Sequence, residues 1–336
     1  MPDDLSFERF ADVQRRQRRP GMAWIPGGSF RMGSDHHYPE EAPSRRVSVD
    51  GFWIDSAPIT NAQFARFIHA TAWVTWAERS AEAGDYPGAD PDMLAPASLV
   101  FTPPTRPTPV GGLGDWWTYV QGADWRHPLG PDSSLDGLDD HPVVQLSFDD
   151  ISAYLAWSRT DLPTEAEWEF AARGGMDGAT YAWGEELDPD GRRMANIWRG
   201  EYPHEHRVES GWERTSPVGS YPPNGYGLSD MIGNVWEWTR DWWSTRSGAV
   251  SEVRCCSTKS RSGGWEGLSD DPALAHLKVP RRTVKGGSYL CSPSYCSRFR
   301  PAQRVMVGRT TQRKPRWQAE VSTAIGWRAA GRKRLQ

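Results

Sequence analysis

The chain has 336 residues and a formal net charge of −4, with a pI of about 6.1. This length is enough to bury a sizeable core, and the charge balance provides no overall attraction to nucleic acid or to anionic membranes. The 33 glycines, 27 prolines and 19 tryptophans are typical of a compact, loop-rich fold with an aromatic core.

The predicted strands are short and are interrupted by glycine and proline. Three segments have strand-like composition: Met22–Ile25, Arg46–Ile54 and Arg282–Lys285. Two further segments are predicted to be loop insertions because of their composition: Ala81–Pro109, rich in Pro and Ala, and Ser244–Lys278, rich in Ser, Gly and charged residues.

Three capping boxes predict the starts of helices, because an N-cap hydroxyl and a side chain three residues later satisfy the first backbone amides. The pairs are Thr60 with Gln63, Ser147 with Asp150, and Thr164 with Glu167. Apolar residues follow each pair at spacings of three and four, so all three helices are expected to be amphipathic. Gly174-Gly175 is expected to end the third helix.

The sequence contains no targeting signal that we can identify. No run of about 18 apolar residues occurs, and the charged N-terminus lacks the apolar region of a signal peptide. We therefore expect a cytoplasmic protein with neither membrane nor nucleic acid as a partner. Structural disulfides are disfavoured in that compartment.

Two of the four cysteines, Cys291 and Cys296, flank a Ser-Pro-Ser turn. Five residues along a strand place side chains on opposite faces, and along a helix they give about 140° of separation. A turn lets the sulfurs converge, so we expect the pair on a surface loop. A disulfide, a soft metal site, a redox pair and two ordinary buried thiols all remain open. The vicinal pair Cys255-Cys256 is left unassigned.

Many sequence blocks, in order from about Gly21 to Ala330, resemble the formylglycine-generating enzyme family, also called sulfatase-modifying factors. The blocks are IPGGSFRMGS (25–34), PITN (58–61), GADWRHP (122–128), HPVV (141–144), LPTEAEWE (162–169), ANIW (195–198), PPNGYGL (222–228), GNVWEW (233–238), the cysteine loop KGGSYLCSPSYCSRFRP (285–301) and STAIGWR (322–328). The resemblance implies an α+β, C-type-lectin-like fold with little regular secondary structure. The expected organisation is an N-terminal extension (1–20), a single domain (21–330) and a C-terminal tail (331–336).

The resemblance also implies an oxidase that uses O2 to convert a cysteine of a target polypeptide, such as an unfolded sulfatase, to formylglycine. In that family the two loop cysteines bind Cu(I), and the matching positions here are Cys291 and Cys296. Soft thiolates favour Cu(I) over harder ions. Ser288 matches the family's active-site serine, and Tyr295 is expected to line the same pocket.

The family carries calcium as well, which takes hard oxygen ligands from loops. One expected site uses the carboxylates of Asp230 and Glu237 with the carbonyls of Gly233 and Val235. A second would use Asn196 and the carbonyls of Ile197 and Trp212. Ser210 stands at its usual aspartate position, and losing that charge should weaken the second site. Without the resemblance, Glu237 would be interpreted as a salt-bridge partner of an arginine.

Other departures from the family pattern keep alternatives open. Ser292 follows the first loop cysteine, where the family often has histidine, and the segment 301–322 is long and basic. A non-catalytic binding module of the same fold, or the same copper chemistry on a different peptide, therefore remains an alternative. The scattered histidines argue against an iron-dependent sulfoxide synthase, and no phosphate-binding loop or hydrolase triad is present.

Overall fold

The computed structural model describes residues 19–85, 90–104, 116–208, 211–244, 266, 269, 280–308 and 325–331. The α-helices in these ranges are α1 (Asn61–Thr71), α2 (Phe148–Ser158) and α3 (Glu165–Ala172). The strands are β1 (Met22–Ile25), β2 (Gly28–Met32), β3 (Arg45–Val49), β4 (Phe52–Asp55), β5 (Ala97–Phe101), β6 (Trp117–Gln121), β7 (Trp236–Trp242), β8 (Arg281–Lys285), β9 (Val305–Gly308), β10 (Ile325–Gly326) and β11 (Ala330–Gly331). None of the helices in the described ranges has the length and apolarity needed to cross a membrane.

The strands of the described ranges form four small sheets, and most of the residues in those ranges lie in loops. The sheet orders are β1-β4-β11, β10-β7-β8-β9, β2-β3 and β5-β6. All neighbours are antiparallel except β10, which runs parallel to β7. Strands from the two ends of the domain thus pair with each other, β11 beside β4, and the α+β, loop-rich expectation is confirmed.

The predicted helix starts are all confirmed. Each N-cap hydroxyl accepts a hydrogen bond from the backbone N–H three residues on, and the side chain at that position accepts one from the N-cap N–H. α3 ends at Ala172, and Gly174 and Gly175 follow with positive φ. Gly174 must be glycine, because a Cβ there would lie 2.8 Å from the backbone nitrogen of Gly225.

Two predictions about the first third of the chain are wrong in part. The segment Arg46–Ile54 contains two strands rather than one, because the extended structure is interrupted at Gly51. A Cβ at this position would lie 2.5 Å from the Trp24 ring. The insertion Ala81–Pro109 is not all loop: β5 lies inside it and pairs with β6 along its whole length. Most of Ser244–Lys278, including Cys255 and Cys256, lies outside the described residues.

Among the residues that the structure describes, three clusters of buried apolar side chains form the core. The largest packs α1 and α2 against β7, and the second packs α3 against β2, β3 and β4. The third is mostly aromatic and consists of Phe101, Trp116, Trp198, Tyr202, Tyr289 and Leu290. Because Tyr289 and Leu290 belong to this cluster and Cys291 to the largest one, the cysteine loop is anchored between two cores.

A network of buried ion pairs joins α3 to β8, the strand that leads into the cysteine loop. The Nζ atom of Lys285 lies 3.0 Å from Oε2 of Glu169 and 3.7 Å from Oε1 of Glu165. Arg173 pairs with Glu169 at 2.8 Å, and Arg304 pairs with Glu165 at 2.8 Å. All five side chains are almost fully buried, so each charge depends on its partners rather than on water.

Asp241, at the end of β7, makes the stability of the fold depend on pH. Burial raises the pKa of this carboxyl from 3.8 to about 6, and the nearby carboxylates of Glu165 and Glu167 add to the shift. Because the folded-state pKa exceeds the unfolded value, ionisation destabilises the fold, and stability falls as pH rises from about 4 through about 6. We compare the unfolding free energy of Asp241→Asn with that of wild type at two pH values. The advantage of the variant should be about 1 kcal/mol larger at pH 7.5 than at pH 5. Urea denaturation of both proteins at both pH values measures this change. The same difference between variant and wild type at pH 5 and pH 7.5 would contradict the prediction.

Candidate functional site

The cysteine loop is a tight turn that follows β8. Gly286 and Gly287 both have positive φ, and a Cβ on Gly287 would lie 2.9 Å from the carbonyl oxygen of Arg298. The carbonyl of Ser292 accepts a hydrogen bond from the Cys296 N–H at 2.9 Å, which returns the chain toward Cys291. The two Sγ atoms consequently lie 3.7 Å apart. That distance far exceeds the S–S bond of about 2.05 Å, so the pair is not a disulfide.

The sulfurs converge as predicted, but the expected surface position is wrong for Cys291. Its side chain is only 2% exposed, whereas Cys296 is half-buried. The reason is that Leu290 and Cys291 pack into two different cores and pull the first half of the loop inward. Both cysteines line a cavity of about 310 Å³, which we call the thiol cavity.

Aromatic and apolar side chains form most of the thiol cavity wall. Tyr295 stacks on Tyr202 with ring centroids 4.6 Å apart and planes 3° from parallel. Trp236, Trp243 and Met306 line the same space. A largely apolar wall excludes water and increases the strength of electrostatic interactions inside the cavity.

Ser288 lines the thiol cavity and is fully buried. Its backbone N–H donates a hydrogen bond to Sγ of Cys291 at 3.4 Å, and its Oγ accepts one from the Leu290 N–H at 3.3 Å. The structure therefore brings together all four predicted catalytic residues, Cys291, Cys296, Ser288 and Tyr295, around one cavity.

An ion pair provides charge beside the thiols. The guanidinium of Arg298 pairs with Glu40 and lies 4.0 Å from the ring centroid of Tyr38. Burial alone would lower the pKa of Arg298, but the charges of Glu40 and Cys296 outweigh it and the pKa is raised. Burial also raises the pKa of Tyr38, and negative charge at Cys296 adds to that shift. Arg298 thus provides positive charge close to Cys296.

The donor set of the thiol cavity fits a soft, low-coordinate metal ion. Two cysteine sulfurs lie close enough for one ion to contact both. Met306 lines the same space, but its sulfur accepts a hydrogen bond from Arg281 at 2.7 Å. No group of three or more His, Cys, Asp or Glu side chains suited to a metal occurs within the described ranges. The described residues therefore offer sulfur ligands, rather than a cluster of carboxylates or imidazoles.

The first predicted calcium segment shows a mixed fit. Oδ1 of Asp230 is buried and has no hydrogen-bond partner, while its Oδ2 accepts from the Gly219 N–H at 2.7 Å. Burial raises the pKa of Asp230 to about 6. Both oxygens of Glu237 accept hydrogen bonds from Arg328, and Oε2 also accepts one from Trp168 Nε1, each at 2.7 Å. The arginine pairing expected of Glu237 without the resemblance is thus observed, whereas Asp230 retains an oxygen for a cation.

The second predicted calcium segment packs directly on the first. The carbonyl of Asn196 accepts a hydrogen bond from the Asn234 N–H at 2.8 Å, and a Cβ on Gly233 would lie 2.4 Å from that same carbonyl oxygen. Asn196, Ile197 and Trp212 line a cavity of about 230 Å³. The backbone of Trp198 then donates to the Cys291 carbonyl, which connects this segment to the cysteine loop. Ser210 lies outside the described residues.

Sequence reasoning missed several residues of the thiol cavity. They are Glu40, Tyr202, Trp236, Trp243, Leu290, Arg298, Val305 and Met306. Arg298 follows Cys296 by two positions and could have been found from that spacing. Glu40 and Tyr202 lie far from the loop in the sequence and carry no local signal.

The chain is similar to known proteins over most of its length. The family described as "Sulfatase-modifying factor enzyme 1-like domain" matches residues 8–315. The formylglycine-generating enzyme of Mycobacterium tuberculosis is 45% identical over 305 residues, covering 90% of this chain and 95% of that protein. "Inactive C-alpha-formylglycine-generating enzyme 2" of Mus musculus is 38% identical over 268 residues, covering 78% of this chain and 80% of that protein.

Among solved structures, PvdO from Pseudomonas aeruginosa superposes with a TM-score of 0.56 at 21% identity, covering 94% of this chain and 99% of that one. This likeness supports the fold alone. The sequence blocks, the paired thiols and these matches lead to one conclusion: the chain belongs to the sulfatase-modifying factor family, which includes the formylglycine-generating enzymes.

Proposed function

We propose that the protein is a copper-dependent oxidase that converts a cysteine in a sulfatase-type polypeptide to formylglycine. The observation that carries this proposal is the pair of sulfurs 3.7 Å apart in an accessible cavity. Similarity to the formylglycine-generating enzyme of M. tuberculosis over 95% of that protein's length supports the reaction class.

Cys291 and Cys296 would hold Cu(I), which when bound supplies a site where O2 and the substrate thiolate can meet. The protein's own residues have separate tasks. Tyr202 and Tyr295 form an apolar wall against which a peptide can pack, and the buried hydroxyl of Ser288 can donate a hydrogen bond to an oxygen species near Cys291. Arg298 would provide positive charge beside Cys296.

The electron balance requires a further reactant. Conversion of the substrate's thiol-bearing methylene to a thioaldehyde removes two electrons and two protons, and hydrolysis then releases hydrogen sulfide and leaves the aldehyde. Reduction of O2 to two waters takes four electrons and four protons. The remaining two of each must come from an external reductant, such as a thiol that is oxidised to its disulfide.

The direct test incubates the copper-loaded protein with a Cys-x-Pro-x-Arg peptide, O2 and a thiol reductant, followed by mass spectrometry. The expected product shows the mass loss for exchange of the thiol for a carbonyl, and it forms an adduct with an aldehyde-reactive hydrazide. A matched peptide with Ser in place of Cys is the control. Copper binding without product from the Cys peptide would favour the same chemistry on a different peptide.

A non-catalytic binding module is the second candidate, because the mouse relative at 38% identity is described as inactive. The two functions differ in what the thiol cavity must do. A binding module needs the cavity walls but not the two sulfurs. Two results together would favour this candidate: wild type forms no aldehyde, and the Cys291→Ala variant still binds the peptide.

We also propose that Ca²⁺ binds at Asp230, with the carbonyls of Gly233 and Val235. The unpartnered, buried Oδ1 of Asp230 supports this site. At 100-fold excess over Kd, calcium should stabilise the fold by about 2.7 kcal/mol. Thermal unfolding with calcium and with a chelator measures the shift, and Asp230→Asn should remove most of it. An equal calcium shift in Asp230→Asn and wild type would contradict this assignment.

A further inference from the structure

A second cavity, lined mostly by basic and hydroxyl side chains, lies where β2 approaches the end of α3. It has a volume of about 260 Å³, and we call it the basic cavity. Its charged and titratable lining residues are Arg31, Asp35, His36, His37, Arg173 and Arg300, and Ser34, Ser44 and Thr180 add hydroxyls. None of its lining residues belongs to the thiol cavity.

Two of the lining arginines are buried with an unpartnered N–H. Arg173 and Arg300 are each 3% exposed, and neither Nε of Arg173 nor Nη1 of Arg300 has a hydrogen-bond partner. A buried guanidinium nitrogen without an acceptor costs free energy, since water is excluded and no protein oxygen replaces it. Both guanidinium groups line the same cavity, so an acceptor that binds there would meet two cations that lack a full set of hydrogen bonds.

The charges around the cavity favour an anion as that acceptor. Arg173 pairs with Glu169 and Arg300 pairs with Glu41, and among the lining residues three arginines stand against the single carboxylate of Asp35. Burial lowers the pKa of Arg300 to about 10, which still leaves it protonated at neutral pH.

Asp35 is the acidic residue of the lining, and its charge is already engaged. Its Oδ1 accepts from the Ser44 N–H at 2.8 Å, and its Oδ2 accepts from the Ser44 hydroxyl. These hydrogen bonds lower the pKa of Asp35, so the carboxylate stays ionised at the exposed rim while it fixes the loop that carries His36 and His37. The buried lining cations are Arg173 and Arg300.

We propose that the basic cavity binds a tetrahedral oxyanion, phosphate or sulfate, either free or as a group on an organic molecule. Guanidinium groups match such anions because several N–H donors can bond to separate oxygens, and hydroxyls complete the shell. The volume exceeds that of one inorganic anion, which leaves room for part of a carrier molecule.

The test is isothermal titration calorimetry of the full-length protein in calcium-free buffer, at ionic strength held constant with sodium chloride. The probes are inorganic phosphate, inorganic sulfate and O-phosphoserine, with acetate as the reference. Saturable binding of phosphate or sulfate, absent with acetate, supports the proposal. Tighter binding of O-phosphoserine would identify a group on an organic molecule as the better ligand, and weaker binding would favour the free anion.

Matched arginine variants locate the site. Arg31 lines the cavity and has an exposed side chain, so Arg31→Gln should fold normally and weaken phosphate binding about fivefold. The control is Arg46→Gln, an exposed arginine that pairs with Asp177 nearby but does not line the cavity. Arg300→Lys keeps the charge but removes the planar guanidinium with its several N–H donors, and should weaken binding further. The proposal would be overturned if every tetrahedral anion gave the same heats as acetate. It would also be overturned if Arg31→Gln and Arg46→Gln lost the same affinity for phosphate.

Discussion

Formylglycine formation is expected to fall by about 10³-fold or more in Cys291→Ala, which corresponds to about 4 kcal/mol of transition-state stabilisation. The reason is that Cys291 provides one of two sulfurs that can share an ion, and no third Cys, His or carboxylate group within the described ranges offers a replacement. Turnover of a Cys-x-Pro-x-Arg peptide by the copper-treated variant, followed by mass spectrometry, measures the effect.

Folding must be separated from chemistry in that experiment, because Cys291 belongs to the largest core. Removing one buried sulfur atom should cost about 1 kcal/mol, so thermal unfolding of the variant should stay close to that of wild type. Cys255→Ser and Cys256→Ser are the matched thiol controls and should keep most of the activity. Retained turnover in Cys291→Ala, or equal loss in all three variants, would contradict the role given to the loop.

Glu169→Gln is expected to destabilise the fold strongly, with a loss of about 3 kcal/mol or more of unfolding free energy. The carboxylate of Glu169 neutralises both Lys285 and Arg173, and all three side chains are buried. The glutamine amide keeps the shape of the carboxylate and one hydrogen-bond acceptor. The lost stability would therefore come from Lys285 and Arg173, which would lack their negative partner. Chemical denaturation monitored by tryptophan fluorescence provides the comparison.

Asp161→Asn is the control for a charge lost at the surface. Asp161 pairs with Arg240 at 3.1 Å, and both side chains are 48% exposed. Water replaces such a partner at little cost, so the change should stay below about 1 kcal/mol. Similar losses in Glu169→Gln and Asp161→Asn would mean that burial of the Lys285 network does not control stability.

Local signals allowed much of the fold to be predicted. Capping boxes at Thr60, Ser147 and Thr164 depend on side chains three residues apart, and the structure confirms each of them. The convergence of Cys291 and Cys296 followed from the geometry of a five-residue spacing. Both inferences succeed because the interacting residues are only three to five positions apart in the sequence.

Features that depend on distant contacts could not be predicted in this way. Glu40 pairs with Arg298 across 258 residues of sequence, and no local pattern connects them. Burial of Cys291 is also decided elsewhere, by the cores that receive it and Leu290. The basic cavity is a third case, because Arg31, Arg173 and Arg300 come from separate parts of the chain.

The most direct test of the central claim is a Cu(I) titration under anaerobic conditions, in competition with a chromophoric chelator. Wild type should bind a single Cu(I) per chain tightly, and Cys291→Ala and Cys296→Ala should each lose that affinity because one sulfur alone remains. If the double variant Cys291→Ala/Cys296→Ala kept the wild-type affinity for Cu(I), the copper site would lie elsewhere and the proposed mechanism would be wrong.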